Sequence, residues 1–199
     1  MEGSYALEGM VLGRGGLRPG YMLVEDGAAV EIGGGECPVE PDVHGVVLTG
    51  VVNGHTHCAD YGLSIPPGMS LEELVAPPDG LKHRYLREAS DDELSASMAR
   101  FSADSRASGA SAFVDFREGG LHGCTLLRAA APDAVILGRP LSPEFDPEEV
   151  AGILEVADGI GISSVSDMDS GYIEEVADMA REERKAFAIH VSERVREDI

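Results

Sequence analysis

From Val51 onward the chain alternates short apolar runs with amphipathic stretches, and this alternation restricts the fold more than any other feature. The runs SAFVDF (Ser111 to Phe116), AVILG (Ala134 to Gly138), GIGISSV (Gly159 to Val165) and AFAIHV (Ala186 to Val191) have the length of buried strands. Helical patterns separate them. Ser90 and Glu93 form a capping box ahead of Leu94, Met98 and Phe101, and Gly109 stops that helix. A second helix is expected from about Leu121 to Ala131. A third opens with Asp146 as cap, Pro147 in the first turn and Glu149 at the third position, and presents Val150, Ile153 and Leu154 as one stripe. A fourth runs from about Gly171 to Arg184, with Ile173, Val176 and Ala180 inward. Strands alternating with helices imply right-handed βαβ crossovers and a parallel sheet covered by helices. With the strand that leads into His55 and His57, five such units are expected.

The first fifty residues follow another rule. Tyr21 to Glu25 and Ala28 to Ile32 flank Asp26-Gly27, a dipeptide suited to the positive φ angles of a tight hairpin. Tyr5 to Leu12 and Val46 to Thr49 add to a small β unit of three or four strands, too little to be stable alone. The expected organisation is therefore a β domain over 1–48 and an α/β domain over 49–199.

Charge limits the function classes. With 36 Asp and Glu against 15 Lys and Arg, the formal net charge is −21. A nucleic-acid binder needs a basic face to neutralise phosphates, so that class is excluded, and anionic membrane surfaces are disfavoured by the same argument. An apolar share of 43% still permits a buried core. The N-terminal MEGSYALEGM has neither a basic lead nor an apolar run, and no window is long and apolar enough to span a membrane, so a cytoplasmic location is expected. Cys37, Cys58 and Cys124 lack C-x-x-C spacing and read as ordinary buried thiols. Neither a Rossmann nor a P-loop glycine pattern follows any strand.

The chemistry concentrates in histidines. In VVLTGVVNGHTHCAD (Val46 to Asp60), His55 and His57 are two apart, and alternate residues of a strand share a face, so both imidazoles can converge on one metal ion. The bland reading is a pair of structural histidines with dedicated hydrogen-bond partners. AFAIHVSE (Ala186 to Glu193) again puts a histidine at the end of an apolar strand. Parallel barrel strands deliver their C-terminal ends to one face, which brings His190 to His55 and His57. Three imidazoles and an open fourth position form a known catalytic zinc arrangement. Glu193 then falls where a general acid or base is needed, unless His190 and Glu193 are only a solvated i,i+3 pair on a helix. By position alone, Glu118 and Arg139 end the second and third strands. Lys82, His83 and Arg84 form a basic cluster in the long proline-punctuated loop from Tyr61 to Ala89, either steering an anionic substrate group or merely starting a solvated helix. Lys82, His83, Glu118 and Arg139 are the expected substrate contacts. Asp167 and Asp169 line the pocket or are loop carboxylates, and His44 and His122 are expected to have no catalytic role.

With LTGVVNGHTH, the hairpin phrase MLVEDGAAVEIGGG and HVSE in view, the sequence resembles the amidohydrolase superfamily, closest to its cytosine deaminase-like and chlorohydrolase-like aminohydrolase branch. Thr49 stands where that family usually has a proline before the glycine. The resemblance implies a (β/α)8 TIM barrel, here incomplete with about five units, and part of a small N-terminal β-sandwich. It implies one divalent metal, zinc first and iron second, held by His55, His57 and His190. It implies that Glu193 shuttles a proton from metal-bound water to the leaving nitrogen of a small, cyclic substrate. A branch with a carboxylated lysine after the fourth strand is disfavoured, because Lys82 lies upstream and Lys185 precedes the fifth strand.

A full barrel takes about 250 residues, and the family's histidine after the sixth strand and aspartate after the eighth have no counterpart here. The expectation is therefore an N-terminal portion that needs a complementary C-terminal half or a second copy of itself. The alternatives are a non-catalytic metal-binding remnant, a partner subunit, or an unrelated α/β binding domain.

Overall fold

Residues 3–76, 78–166, 168–192 and 196 are described in the computed structural model of the chain, whose contacts separate Met1–Val51 from Val52–Ile199. In the first unit, β1 (Tyr5–Gly13), β2 (Gly16–Glu25), β3 (Ala28–Gly34) and β4 (Val43–Val47) form one sheet in the order β3-β2-β1-β4. The β1/β2 and β2/β3 pairs are antiparallel and β1/β4 is parallel. Asp26 (φ 49°) and Gly27 (φ 79°) both adopt the left-handed conformation that the hairpin predicted. Gly9 permits the β1/β4 approach, since a Cβ there would lie 1.9 Å from the Gly45 carbonyl oxygen. Val30, Ile32, Val46 and Leu48 are each more than half exposed.

The second unit carries the alternating pattern. It comprises β5 (Val51–Thr56), a 3₁₀ turn (Cys58–Gly62), α1 (Leu71–Val75), α2 (Leu81–Glu88), α3 (Asp91–Ala107), β6 (Ala110–Arg117) and α4 (Gly120–Ala130). Then follow β7 (Val135–Gly138), α5 (Pro147–Val156), β8 (Gly159–Ile162), α6 (Ser170–Glu182) and β9 (Ala186–Ile189). The strands make one sheet in the order β5-β6-β7-β8-β9, parallel from β6 to β9. Helix starts follow the sequence signals: Ser90 and Glu93 close a reciprocal capping box on α3, and Asp146 accepts from the Glu148 and Glu149 amides with Pro147 beside it. The core lies between helices and sheet and includes Met98, Leu127, Ile136, Ile153, Ile160, Ile162 and Val176, all fully buried. Each such side chain contributes about 1.5–3 kcal/mol relative to exposure.

Three elements depart from the sequence reading. The Tyr61–Ala89 segment contains two helices, because Ser70 and Glu73 form a capping box that starts α1 and Gly80 precedes α2. Strand β8 stops at Ile162, short of Val165; beyond it Ser164 Oγ accepts from the Ser166 amide, a local bond that competes with sheet pairing. Strand β9 stops at Ile189, although the His190 amide still donates to the Ile162 carbonyl. Among the described residues, no helix is long and apolar enough to cross a membrane.

Gly161 of β8 faces Phe116 of β6: a Cβ at Gly161 would come within 2.7 Å of the Phe116 ring and 3.1 Å of Leu137 Cβ. Gly161→Ala should therefore overpack the sheet and destabilise the chain by about 1–3 kcal/mol. Urea denaturation monitored by circular dichroism measures it as a lower midpoint at unchanged slope.

Candidate metal centre

Alternation along β5 and β6 sorts their side chains onto two faces. Thr56, Asp115 and Arg117 are buried on one face. His55, His57, Phe116 and Glu118 take the other, where the end of β9 adds His190. The Nε2 atoms of His55 and His57 are 3.4 Å apart and those of His190 and His55 are 2.9 Å apart. One ligand nitrogen from each ring lies within 4.8 Å of the other two. Phe116 packs against this cluster, its ring centroid 4.4 Å from His190 and 4.7 Å from His55.

Two of the rings are oriented through their other nitrogen. His190 Nδ1 lies 3.0 Å from the Ile162 carbonyl oxygen, which can only accept, so Nδ1 carries a proton. His57 Nδ1 lies 3.0 Å from Glu118 Oε1, which assigns it a proton by the same reasoning. In the neutral rings, Nε2 is then a lone-pair donor aimed at the shared space. Two nitrogens at about 2.05 Å from one cation lie roughly 2.9–3.4 Å apart for angles between a right angle and tetrahedral. The two separations from His55 fall in that interval and the third nitrogen lies within 4.8 Å, so these residues fit a divalent metal such as zinc in donor type and number.

Behind the histidines runs a chain of charges. Lys82 Nζ contacts Glu118 Oε1 at 2.6 Å and Asp60 Oδ2 at 3.6 Å. Arg117, only 3% exposed, reaches Glu118 Oε2 at 2.8 Å and Asp115 Oδ1 at 3.7 Å. Asp115 is fully buried and its Oδ2 accepts from Thr56 Oγ1 (2.9 Å) and the Cys58 amide (2.6 Å). Since Thr56 and Cys58 flank His57, this carboxylate holds the side chain of the residue before it and the backbone amide of the residue after it. Burial opposes the charge of Glu118, but the His57 hydrogen bond, Arg117 and Lys82 outweigh it and hold its carboxyl well below the usual carboxylate range. Asp60 goes the other way: burial raises its pKa, with Lys82 opposing. Burial and the neighbouring Asp115 push the Cys58 thiol well up, leaving it inert.

The residues expected from the sequence separate in space. His55, His57 and His190 come together. Lys82 and Glu118 join them through His57, whereas His83 Nε2 turns to the Val75 carbonyl at 3.1 Å. Arg139 ends β7, its amide bonded to the Arg117 carbonyl. Asp169 caps α6 through the Tyr172 amide, and His122 pairs with Asp91 at 2.9 Å. Lys185 donates to the Leu154 and Ala157 carbonyls at the end of α5. Glu193 and Asp167 lie outside the described residues. Asp115, Arg117, Asp60 and Phe116 were not singled out. The available signal was Asp115 and Arg117, two charges of opposite sign two apart in an otherwise apolar strand.

No family model matches the chain. Among curated proteins it is 35% identical over 189 residues to an uncharacterized protein of Methanocaldococcus jannaschii, covering 89% of this chain and 49% of that protein. It is 33% identical over 190 residues to a protein of Methanothermobacter thermautotrophicus named as an aminohydrolase, covering 86% and 49%. The chain thus spans about half the length of the curated relatives it matches. Among solved structures, an amidohydrolase from Brucella melitensis superposes with a TM-score of 0.69 at 15% identity, covering 95% of this chain and 52% of that one. An atrazine chlorohydrolase from Arthrobacter aurescens, complexed with zinc, gives a TM-score of 0.67 at 16% identity (95% and 53%). A guanine deaminase from C. acetobutylicum with bound guanine gives 0.67 at 13% (96% and 53%).

Replacing Asp115 by alanine would leave buried Arg117 paired with Glu118 and free the Thr56 hydroxyl and Cys58 amide beside His57. We expect Asp115→Ala to cost about 1–3 kcal/mol of stability, read as a lowered urea midpoint, whereas Asp91→Ala at the exposed His122 pair should change it by less than about 1 kcal/mol.

Proposed function

This chain carries an N-terminal portion of the amidohydrolase architecture, and from that premise we propose that it belongs to a metal-dependent hydrolase cleaving a C–N bond of a small, cyclic, aminated substrate. The reaction is deamination or amide hydrolysis. One observation carries the reading: three imidazoles from the ends of β5 and β9 bring one ring nitrogen each within 4.8 Å of one another, and the Nδ1 atoms of His57 and His190 are already committed elsewhere.

His55, His57 and His190 would hold the cation, zinc first and iron second. When bound, a divalent cation supplies Lewis acidity there and lowers the pKa of a coordinated water toward neutrality. The chain's own residues do the rest. Glu118 and the Ile162 carbonyl hold two imidazoles in orientation, and Phe116 supplies an apolar wall against the rings. Glu193 is assigned the proton-transfer role, delivering a proton to the leaving nitrogen, on the strength of its His-x-x-Glu spacing from His190. Arg139 is the cation assigned to an anionic or carbonyl group of the substrate, since the Lys82 ammonium is engaged by Glu118 and Asp60.

The five β/α units read here as the front of a TIM barrel, and the four-stranded sheet as part of the accompanying sandwich. Coverage of about half of each relative supports this, as do the outer strands β5 and β9 and the exposed Val51 and Val52. Turnover is accordingly assigned to an assembly in which a complementary C-terminal half, or a second copy, completes the site.

Elemental analysis of the purified chain should find about one zinc or iron per polypeptide, and His57→Ala or His190→Ala should abolish it; a His57→Ala variant that keeps all its metal contradicts the reading. Ammonia release from aminated heterocycles, measured with and without a polypeptide spanning the rest of the relatives' length, should appear only with it. Glu193→Gln should then keep the metal and lose most turnover. Metal binding with no turnover under any pairing favours the second reading, a non-catalytic metal-binding remnant.

A further inference from the structure

Glu118 sits where the sequence alone suggests a substrate contact, yet its carboxylate is already engaged. Oε1 meets His57 Nδ1 at 3.0 Å and Lys82 Nζ at 2.6 Å, while Oε2 meets Arg117 Nη2 at 2.8 Å. Arg117 Nε also donates to the backbone carbonyl of Glu118 at 2.9 Å. The main chain around it is equally constrained. Gly119 and Gly120 both have positive φ (91° and 58°), and a Cβ on Gly123 would lie 2.0 Å from the Glu118 carbonyl oxygen. The first turn of α4 therefore packs directly on this residue. Both ends of Glu118 are fixed, and Oε1 is shared between Lys82 and one imidazole.

We propose that Glu118 is a positioning residue for the metal centre: clamped by Lys82 and Arg117, it fixes the tautomer and ring angle of His57 so that Nε2 is presented to the cation. The inference rests on the metal-binding reading above. A carboxylate only accepts, so it requires the proton on His57 Nδ1. It also makes the ring a stronger donor at Nε2, the general effect of an outer carboxylate on a ligating histidine. Lys82 and Arg117 act one step further out by locking both carboxylate oxygens, and Asp115 acts through the Thr56 hydroxyl and the Cys58 amide on either side of His57. His190, by contrast, is oriented by the Ile162 backbone carbonyl rather than by a side chain.

The test uses the 199-residue chain, with Co²⁺ as probe, its affinity read by competition with a chelator and its site by the visible spectrum. Glu118→Ala should weaken binding roughly 10- to 100-fold. Glu118→Gln keeps the shape and one acceptor, so it should fall between that variant and the wild type; it carries the test should the alanine variant not fold. In a His57→Ala background, Glu118→Ala should add no further loss, because its effect passes through that ring. Long-range ¹H–¹⁵N NMR of the metal-free chain should show His57 protonated at Nδ1, and this preference should be lost in Glu118→Ala. Wild-type Co²⁺ affinity in both Glu118 variants, or a full loss persisting without His57, overturns the proposal. A His57→Ala chain that binds Co²⁺ as tightly as wild type overturns the metal-binding reading itself, a result distinguishable from the first.

Discussion

The candidate site depends on a run of alternating charges, buried at Asp115 and Arg117 and half-buried at Glu118 and Lys82, that connects the core of the α/β unit to His57. Burying charge costs several kcal/mol per ion, and such an arrangement persists only where each charge meets an opposite one and the remaining lone pairs are hydrogen-bonded. Here those conditions are met by short contacts on nearly every member. The exception is Asp115 Oδ1, which has no hydrogen-bond partner and faces Arg117 at ion-pair distance. The stability of this chain and the aim of the imidazole are therefore one problem: what loosens Arg117 also loosens Glu118.

Small residues make the geometry attainable. Gly161 leaves room for Phe116 to lie against the histidine rings, and Gly123 lets α4 approach the carbonyl of Glu118. The alternation of β5 and β6 then divides labour, with Thr56, Asp115 and Arg117 on one face and the imidazoles and Glu118 on the other. A parallel sheet suits this division, because every strand delivers its last residue to the same end.

Much of this was legible beforehand. The period of apolar runs announced the parallel α/β unit, Asp26-Gly27 announced the hairpin, and His-x-His with the strand-ending His190 announced the cluster. What could not be read was the supporting network. Asp115 and Arg117 are visible as opposite charges in an apolar strand, but nothing in the sequence says which residues they meet. The contacts that tie this network to the histidine strand span about sixty positions, as in Cys58 to Asp115 and His57 to Glu118, so only folding reveals them. The α1 helix was missed for a different reason: its Ser70–Glu73 capping box was present, but five residues hemmed in by prolines do not show a period.

The central claim is that three Nε2 atoms, from His55, His57 and His190, define one cation position. X-ray absorption at the zinc edge on the zinc-loaded chain tests it directly. The account predicts one tightly bound zinc with about three imidazole nitrogens at roughly 2.0–2.1 Å and only light oxygen ligands besides. A sulfur shell near 2.3 Å, which would implicate the cysteines, or a zinc surrounded only by oxygens, would contradict it.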